Sequence, residues 1–187
     1  MTEATTELAR DLTKDEMLEI LLAHEIAELE YDIDATMVTL VPNPHYEAPT
    51  LGVQVDGWDT IEKMYGRLIS DAAKGRNVHA VARVIAEAKN TLVREAYVSF
   101  DTADGGRDTG LYLVVMEFDP VLKKIVGERM YMDTIFGAFM AEMLGPDFPT
   151  MPGVSKLAGT MPIINEHDAF EAAAARGIVI NNPRVNR

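Results

Sequence analysis

Four consecutive strand-like segments in the second half of the chain limit the fold more than any other feature. They cover residues 78–88, 91–100, 111–118 and 123–136, and turn signals such as Asp-Gly-Gly at 104–106 separate them. Alternating side chains are typical of strands with one face buried, and short turns join antiparallel neighbours. The third segment is almost entirely apolar, as expected of a central strand. The pattern predicts a four-stranded antiparallel meander.

A long helix is predicted before the meander, over residues 14–35. Thr13 and Glu16 have the spacing of a capping box, in which two side chains bond the free backbone groups of a helix start. Apolar residues at helical spacing then predict the buried stripe, which is Leu18, Leu22, Ile26, Leu29 and Ile33.

A second stripe of ionisable residues runs along the same helix. His24, Glu28 and Asp32 follow one another at intervals of four, with Tyr31 beside them. Two interpretations stay open for this stripe: a solvated acidic edge with a hydrogen-bonded histidine, or the rim of a pocket.

The remaining segments complete a single domain over residues 1–187. We expect a short strand or extension at 36–41, a hairpin from 45–50 and 53–55, and a helix over 58–73. A short helix is predicted at 139–144 and another between an Asn165 cap and Gly177. Residues 13–145 would form the main fold and 146–187 a C-terminal arm, which covers this domain, covers a neighbouring subunit, or closes over a pocket as a lid.

Composition narrows the class of partner. The 187 residues include 17 basic and 30 acidic side chains, a net charge of −13, which argues against binding to nucleic acid or to an anionic membrane. There is no cysteine, so disulfides, thiolate catalysis and cysteine-ligated metals are excluded. No stretch approaches the ~20 apolar residues that span a bilayer, and the polar N-terminus does not resemble a signal peptide. We expect a cytoplasmic protein.

The last predicted strand carries the main candidate site. In residues 127–133, with sequence GERMYMD, side chains alternate between the two faces of the strand. Arg129, Tyr131 and Asp133 share one face, and the other is apolar apart from Glu128. A carboxylate beside a phenol and a guanidinium in a semi-apolar pocket can hold a shifted pKa and move protons. Asp133 is therefore the first candidate for a catalytic proton shuttle.

Two histidines are the next catalytic candidates. His45 follows a rigid Pro-Asn-Pro sequence, and His24 lies on the first helix; imidazole titrates near neutral pH. The candidate substrate-binding side chains are Tyr131, Arg129, Tyr31, Trp58, Tyr65, Tyr97 and Glu95. For the aromatic residues among them, packing in the core is the alternative role. The four histidines, which include His79 and His167, show no metal-binding spacing, so we predict no metal and no cofactor.

The order of these motifs resembles the nuclear transport factor 2-like superfamily, and within it the SnoaL-like polyketide cyclases and ketosteroid-isomerase-like proteins. The resemblance covers about residues 14–145. It rests on HEIAE at 24–28, DIDAT at 32–36, GWDTI at 57–61, VIAE at 84–87 and, most specifically, GERMYMD at 127–133. It implies an α+β, cystatin-like cone, in which a curved antiparallel sheet wraps around the N-terminal helices and leaves an apolar pocket. It also implies a homodimer formed through the outer face of the sheet.

The chemistry that the resemblance implies differs between branches of the superfamily. The cyclases use a strand aspartate as proton shuttle, and Asp133 in Tyr-x-Asp has the corresponding position. Ketosteroid isomerases place a base just before a proline, but here Ala48 precedes Pro49, and Glu47 is one residue early. The related epoxide hydrolases use an Asp-Arg-Asp set, part of which Arg94 and Arg129 with Asp133 would imitate, although the sequence indicates no second aspartate for it.

Two functions are consistent with these features. One is a cofactor-free acid–base enzyme, of isomerase, cyclase or hydratase/hydrolase type, that acts on a small apolar oxygenated molecule. The other is a non-catalytic protein that binds a hydrophobic ligand or serves as a dimeric scaffold.

Overall fold

The sheet of this protein contains the predicted meander at one side and three shorter strands at the other. A computed structural model describes residues 10–157 and 168–181. The meander strands are β3 (His79–Ala88), β4 (Thr91–Asp101), β5 (Arg107–Asp119) and β6 (Lys124–Met132), and the shorter strands are β1 (His45–Ala48), β2 (Val53–Asp56) and β7 (Val154–Lys156). Their order is β3-β4-β5-β6-β1-β2-β7, with β1 parallel to β6 and every other pair antiparallel. The sheet is curved and unclosed, so the predicted α+β class is confirmed.

Helices cover one face of this sheet, which we call the inner face. The helices of the main fold are α1 (Lys14–Leu29), α2 (Ile33–Val38), α3 (Trp58–Leu68), α4 (Asp71–Lys74) and α5 (Thr134–Leu144), and a sixth helix, α6 (Ala169–Ala175), belongs to the arm. The capping box at Thr13 and Glu16 is present at the start of α1. Inward side chains of β4 and β5 form the core with α1, α3 and α5. Among the described residues, no helix combines the length and the apolar character needed to cross a membrane.

Helix α1 is rotated relative to the sequence-based expectation. Its buried residues are Met17, Leu21, His24 and Ala27, whereas Leu22, Ile26 and Leu29 of the predicted buried stripe are exposed. The prediction was wrong because the apolar period was taken as the inward face. The helix instead buries the face that carries Met17, Leu21, His24 and Ala27, so that His24 lies in the core, whereas Glu28 is half-buried and Asp32 is exposed.

The first helix is also shorter than predicted. Tyr31 has a left-handed backbone with φ 58°, and the Asp32 side chain accepts a hydrogen bond from the backbone N–H of Ala35 to start α2. A residue in that conformation ends a helix. Residues 33–38 are therefore helical, and the predicted extension at 36–41 is wrong except for a single bridge from Leu40 to Ile125.

The last meander strand ends earlier than predicted, so Asp133 lies beyond the strand and has a different role from the one expected. Strand β6 stops at Met132, and Asp133 is the N-cap of α5, with its carboxylate accepting from the backbone N–H of Phe136. Helix α5 thus begins at Thr134 rather than near residue 139. The described helix of the arm begins at Ala169 with Asp168 as its cap, and the predicted cap Asn165 lies outside the described residues.

Gly127 allows β1 to approach β6. A Cβ atom at this position would lie 1.6 Å from the backbone oxygen of His45. This distance is too short for any side chain, so only glycine fits here. Gly66, exposed on α3, has nothing within 4 Å of the same position. A side chain is therefore excluded at Gly127 and tolerated at Gly66.

We expect Gly127→Ala to lower the free energy of unfolding by about 1–3 kcal/mol or more, because β1 must move away from β6. Gly66→Ala should raise it by up to about 1 kcal/mol, because alanine favours the helix. Urea denaturation of the two variants measures both effects. Equal stability of Gly127→Ala and the wild type would contradict the close approach of the strands.

Candidate functional site

Ionisable and hydroxyl side chains from six elements meet on the inner face of the sheet. We call this set the inner polar cluster; it consists of His24, Glu25 and Glu28 of α1, Tyr46 of β1, Tyr65 of α3, Arg94 of β4, Tyr112 of β5 and Glu128 of β6. The strand register explains the convergence. Arg94 is aligned with Val114, and Glu128 with Met116, so both lie on the inward face of their strands beneath α1.

His24 lies at the centre of the cluster and is only 1% exposed. Its Nδ1 is 2.6 Å from Oγ1 of Thr39, and that hydroxyl donates its hydrogen to the backbone oxygen of Thr36. Nδ1 must therefore donate to Thr39, which leaves Nε2 directed at the cluster. Nε2 is 3.0 Å from the hydroxyl of Tyr65, 3.3 Å from Glu28 Oε1 and 3.9 Å from Glu128 Oε1.

Two buried phenols extend this network. The hydroxyls of Tyr65 and Tyr46 are 3.0 Å apart, and each ring meets its neighbour edge to face. Burial and the nearby carboxylates raise the pKa of both tyrosines well above the ordinary value. Both phenols therefore remain protonated at neutral pH and can donate hydrogen bonds.

Glu128 is the acid of the cluster, and its side chain is 12% exposed. Burial raises the pKa of Glu128 to about 7, since an apolar environment disfavours the carboxylate. Glu28 and Glu25 act in the same direction, whereas His24 and Arg94 oppose the shift. A carboxyl group with this pKa is partly protonated at neutral pH and can both give and take a proton.

The charge of His24 depends on the same neighbours. Burial favours the neutral imidazole, but Glu28, Glu128 and Glu25 together outweigh it and raise the pKa of His24 above its ordinary value. Because His24 and Glu128 lie within 4 Å of each other, the proton occupancy of one changes that of the other. The two groups form a coupled acid–base pair.

Arg94 closes the cluster at the side nearest β3. One of its terminal nitrogens donates to Glu25 and the other lies 2.6 Å from the hydroxyl of Tyr112, while its buried Nε has no partner among the described residues. Exposure of the side chains increases in this direction, to 16% for Arg94 and 35% for Glu28. Solvent therefore reaches the cluster from the Arg94 and Glu28 side.

The structure corrects the expected orientation of the β6 side chains. Asp133 does not face an apolar hollow: its carboxylate accepts from the backbone N–H groups of Phe136, at 2.8 Å, and of Leu111, at 2.9 Å. Tyr131 is exposed, and Arg129 lies on the outer face, 3.8 Å from Glu117. The inward face of the strand is the other one, which carries Glu128.

His45 forms a separate arrangement on the outer face. Its Nδ1 is 2.6 Å from Asp56 Oδ1, and its Nε2 is 3.2 Å from Oε1 of the buried Glu47. Partial burial favours the neutral imidazole, but the two carboxylates outweigh it and raise the pKa of His45 above its ordinary value. The sheet separates this histidine from His24, so the two do not act on one molecule.

The remaining predicted substrate-binding residues do not share a site. Tyr97 and Glu95 lie on the outer face with Arg83, and Tyr31 is below Lys74 at the end of α1. Trp58 is half-buried and packs against the core. Of the predicted set, only Tyr65 and His24 belong to the inner polar cluster.

Sequence reasoning missed Glu128 and Tyr46. The available signal was that Glu128 is the one charged residue on an otherwise apolar strand face, where a charge has to be solvated, paired or neutralised. The structure shows this face turned inward, with Met130 and Met132 beside Glu128. Tyr46 gave no signal of its own, because its partner Tyr65 is 19 positions away.

Two clefts are found on the molecule. One, of about 170 Å³, is lined by His45 of β1, by Val115 and Glu117 of β5, and by residues 126–129 of β6, which include Glu128. The other, of about 190 Å³, lies between β2 and α5 and has an apolar lining. Within residues 10–157 and 168–181, no group of three or more histidine, aspartate or glutamate side chains is placed to hold a metal ion.

Solved structures share this fold at low sequence identity. No family model and no curated protein matches the chain. A protein of unknown function with a cystatin-like fold from Methylobium petroleophilum PM1 has a TM-score of 0.55 and 14% identity, over 95% of this chain and 100% of its own. A protein assigned to the SnoaL-like polyketide cyclases from Shewanella putrefaciens CN-32 has a TM-score of 0.56 and 11% identity, over 68% and 86%.

A protein from Bacillus subtilis assigned as an isomerase has a TM-score of 0.52 and 20% identity, over 65% of this chain and 88% of its own. These similarities establish the fold. The chain has the nuclear transport factor 2-like architecture that its sequence motifs resemble.

The raised pKa of Glu128 predicts a pH dependence of stability. Glu128 binds its proton more tightly in the folded than in the unfolded chain, so its contribution is present below about pH 4.5 and is lost as the pH rises through about 7. His24, whose pKa is also raised, changes stability in the same direction. We expect the wild type to lose up to about 3 kcal/mol relative to Glu128→Gln between pH 4.5 and pH 8.

Urea denaturation across this pH range measures the difference. Glu62→Gln, which alters an exposed carboxylate on α3, is the matched control and should follow the wild type at every pH. If wild type and Glu128→Gln differ by the same amount at pH 5 and pH 8, Glu128 does not have the raised pKa.

The capping role of Asp133 predicts a structural effect. Asp133→Ala removes acceptors from two backbone N–H groups and should lower the free energy of unfolding by about 1–2 kcal/mol. Asp133→Asn keeps one acceptor oxygen and should lose less. Thermal and urea denaturation compare the two, and a stability of Asp133→Ala equal to that of the wild type would contradict the cap.

Proposed function

We propose that this protein is an acid–base enzyme that needs no cofactor, and that Glu128 is its proton shuttle with His24 as partner. The observation that supports this most strongly is the position of Glu128: a largely buried carboxyl group 3.9 Å from an imidazole nitrogen, in a cluster lined by two protonated phenols. Burial raises the pKa of Glu128 to about 7, and a general acid–base catalyst is most effective when its pKa lies near the working pH.

The arrangement suits proton transfer at a carbon atom beside a carbonyl group. Ionised Glu128 would take the proton, and the electron pair of the C–H bond would move through the carbonyl to its oxygen, which becomes an enolate. Tyr65, or a protonated His24, would stabilise that oxygen by a hydrogen bond. Where a C=C bond is conjugated with the enolate, Glu128 would return the proton to the far carbon of that bond, which gives an isomer. Alternatively, the enolate carbon would attack a second carbonyl group, whose oxygen takes the proton from Glu128, which closes a ring.

Access to Glu128 would come from the Arg94 side of the cluster. Arg94 is aligned in register with Ile85 of β3, and the neighbouring Ala80 and Ala82 are exposed. An apolar substrate would lie along this uncovered part of the sheet and place its carbonyl end in the cluster. Because His24 and Tyr65 are almost fully buried, substrate entry would require α1 to move away from β4.

Solved structures of the same fold include proteins assigned as a polyketide cyclase and as an isomerase. Both assignments are compatible with enolate chemistry on an oxygenated apolar molecule, but similarity at this identity establishes the fold alone, so the proposal rests on the inner polar cluster. The substrate class remains a small apolar carbonyl compound.

A second candidate function is the binding of an apolar ligand without catalysis. The enclosure of the cluster favours it, since His24, Tyr46 and Tyr65 are buried and none of the three lines either cleft. In this case the polar cluster would be structural, and the ligand would occupy the apolar cleft between β2 and α5.

Exchange of substrate protons with D₂O tests the catalytic proposal without knowledge of the product. Small apolar ketones and 1,3-diketones are incubated with the protein in D₂O, and loss of the α-proton signal is followed by NMR. We expect Glu128→Gln to slow exchange roughly 100- to 10,000-fold, as for loss of a general base. His24→Gln should also slow it.

Asp133→Asn and Tyr131→Phe are the controls, and both should exchange at the wild-type rate, because neither side chain faces the cluster. Exchange that is unchanged in Glu128→Gln would contradict the proposal. Ligand-induced thermal stabilisation with no exchange in any compound would favour the binding function.

A further inference from the structure

An apolar stripe on α1 faces away from the core. It consists of Leu22, Ile26 and Leu29, whose exposed fractions are 56%, 46% and 73%. Residues at this spacing form one line along a helix, the pattern by which a helix packs against a partner. An exposed line of large apolar side chains marks an interaction surface. We call it the outer stripe of α1.

The C-terminal arm carries a second exposed apolar segment. Gly177, with φ 70°, ends α6, and Ile178, Val179 and Ile180 follow with exposed fractions of 56%, 76% and 44%. The backbone hydrogen bonds described for residues 168–181 join residues of the arm to one another. One example is the bond that the N–H of Ile178 donates to the backbone oxygen of Ala173. The segment is therefore presented to solvent by a short, locally held helix.

The charges beside the two surfaces are complementary. Glu19 and Glu30 are next to the outer stripe on α1, and neither forms an ion pair with another described residue. Residues 176–187 contain Arg176, Arg184 and Arg187 and no acidic residue, in a chain with a net charge of −13. Two copies of α1 would bring like charges together, whereas α1 and the arm attract each other.

We propose that two copies of this chain exchange their arms, so that Ile178, Val179 and Ile180 of one protomer lie on the outer stripe of α1 in its partner. In the part of the chain that the structure describes, both apolar surfaces are exposed, and one exchange covers both. The contact is made twice across a two-fold axis, so the buried surface is doubled. A stable interface buries about 1,200–2,000 Å² in total, and the second contact brings the buried area closer to that range. This surface is apart from the outer face of the sheet, and the proposal does not depend on the catalytic one.

Molar mass in solution tests the exchange. We expect removal of residues 178–187 to halve the mass of the assembly measured by light scattering, and Leu22→Ser combined with Leu29→Ser to do the same. Val121→Ser with Leu122→Ser, which changes an equally exposed apolar pair at the β5–β6 turn, is the matched control and should keep the wild-type mass. Circular dichroism checks that each variant is folded.

A mixing experiment identifies the two halves of the contact. The truncated protein keeps an intact outer stripe, and the Leu22→Ser, Leu29→Ser protein keeps an intact arm. Arm exchange predicts that the two form a mixed pair when combined, through one arm on one stripe, although neither self-associates.

Three results would overturn the proposal. The first is a wild-type protein that is monomeric at micromolar concentration, which is the result expected if the arm binds the outer stripe of its own chain. The second is a truncated protein with the same number of protomers as the wild type, which would place the interface elsewhere. The third is the absence of a mixed pair even at the highest concentration at which both proteins stay in solution, a condition set because one contact binds more weakly than two.

Discussion

The packing of α1 against the inner face of the sheet determines most of what is distinctive in this molecule. The helix leaves most of the predicted apolar stripe exposed and buries instead the face that carries Met17, Leu21, His24 and Ala27. His24 is thereby placed under the sheet, opposite the one charged residue that β6 directs inward. Burying such groups costs free energy unless each finds a partner. The hydroxyls of Thr39, Tyr65 and Tyr46 and the guanidinium of Arg94 meet that requirement for much of the cluster.

This arrangement is an unusual use of core volume. A core of leucine and valine would be more stable than one that contains His24 and Glu128, with the half-buried Glu25 and Glu28 beside them, because buried ion pairs rarely recover their desolvation cost. The cluster also leaves Glu128 with a pKa near neutrality and Arg94 Nε without a partner among the described residues. Departures of this kind concentrate at sites of chemistry or binding.

The architecture was predictable from sequence where the signals are local. Alternation and turn residues gave the meander, and the Thr13 capping box gave the start of α1. The site was predictable only in part. His24 and Tyr65 were recognised, but Asp133 was taken for a pocket residue, because alternation alone cannot show that β6 ends at Met132 and that the next side chain caps a helix.

The choice of the inward face was the harder problem. A strand with Arg129, Tyr131 and Asp133 on one side and Glu128, Met130 and Met132 on the other can turn either side inward, and its long-range neighbours decide which. The same holds for α1, whose apolar stripe was expected to be buried. Both errors have one physical origin: polar residues were placed in a pocket and apolar ones in the core, whereas this protein places a polar cluster within the core.

The most direct test of the account is the titration of Glu128 itself. The carboxyl ¹³C resonance of Glu128, assigned by comparison with Glu128→Gln, is followed by NMR between pH 4 and pH 9. The account predicts a midpoint near pH 7, which moves when His24 is replaced by Gln because the two groups are coupled. A midpoint near the ordinary value of 4.5, unaffected by His24→Gln, would contradict a buried acid–base pair on the inner face of the sheet.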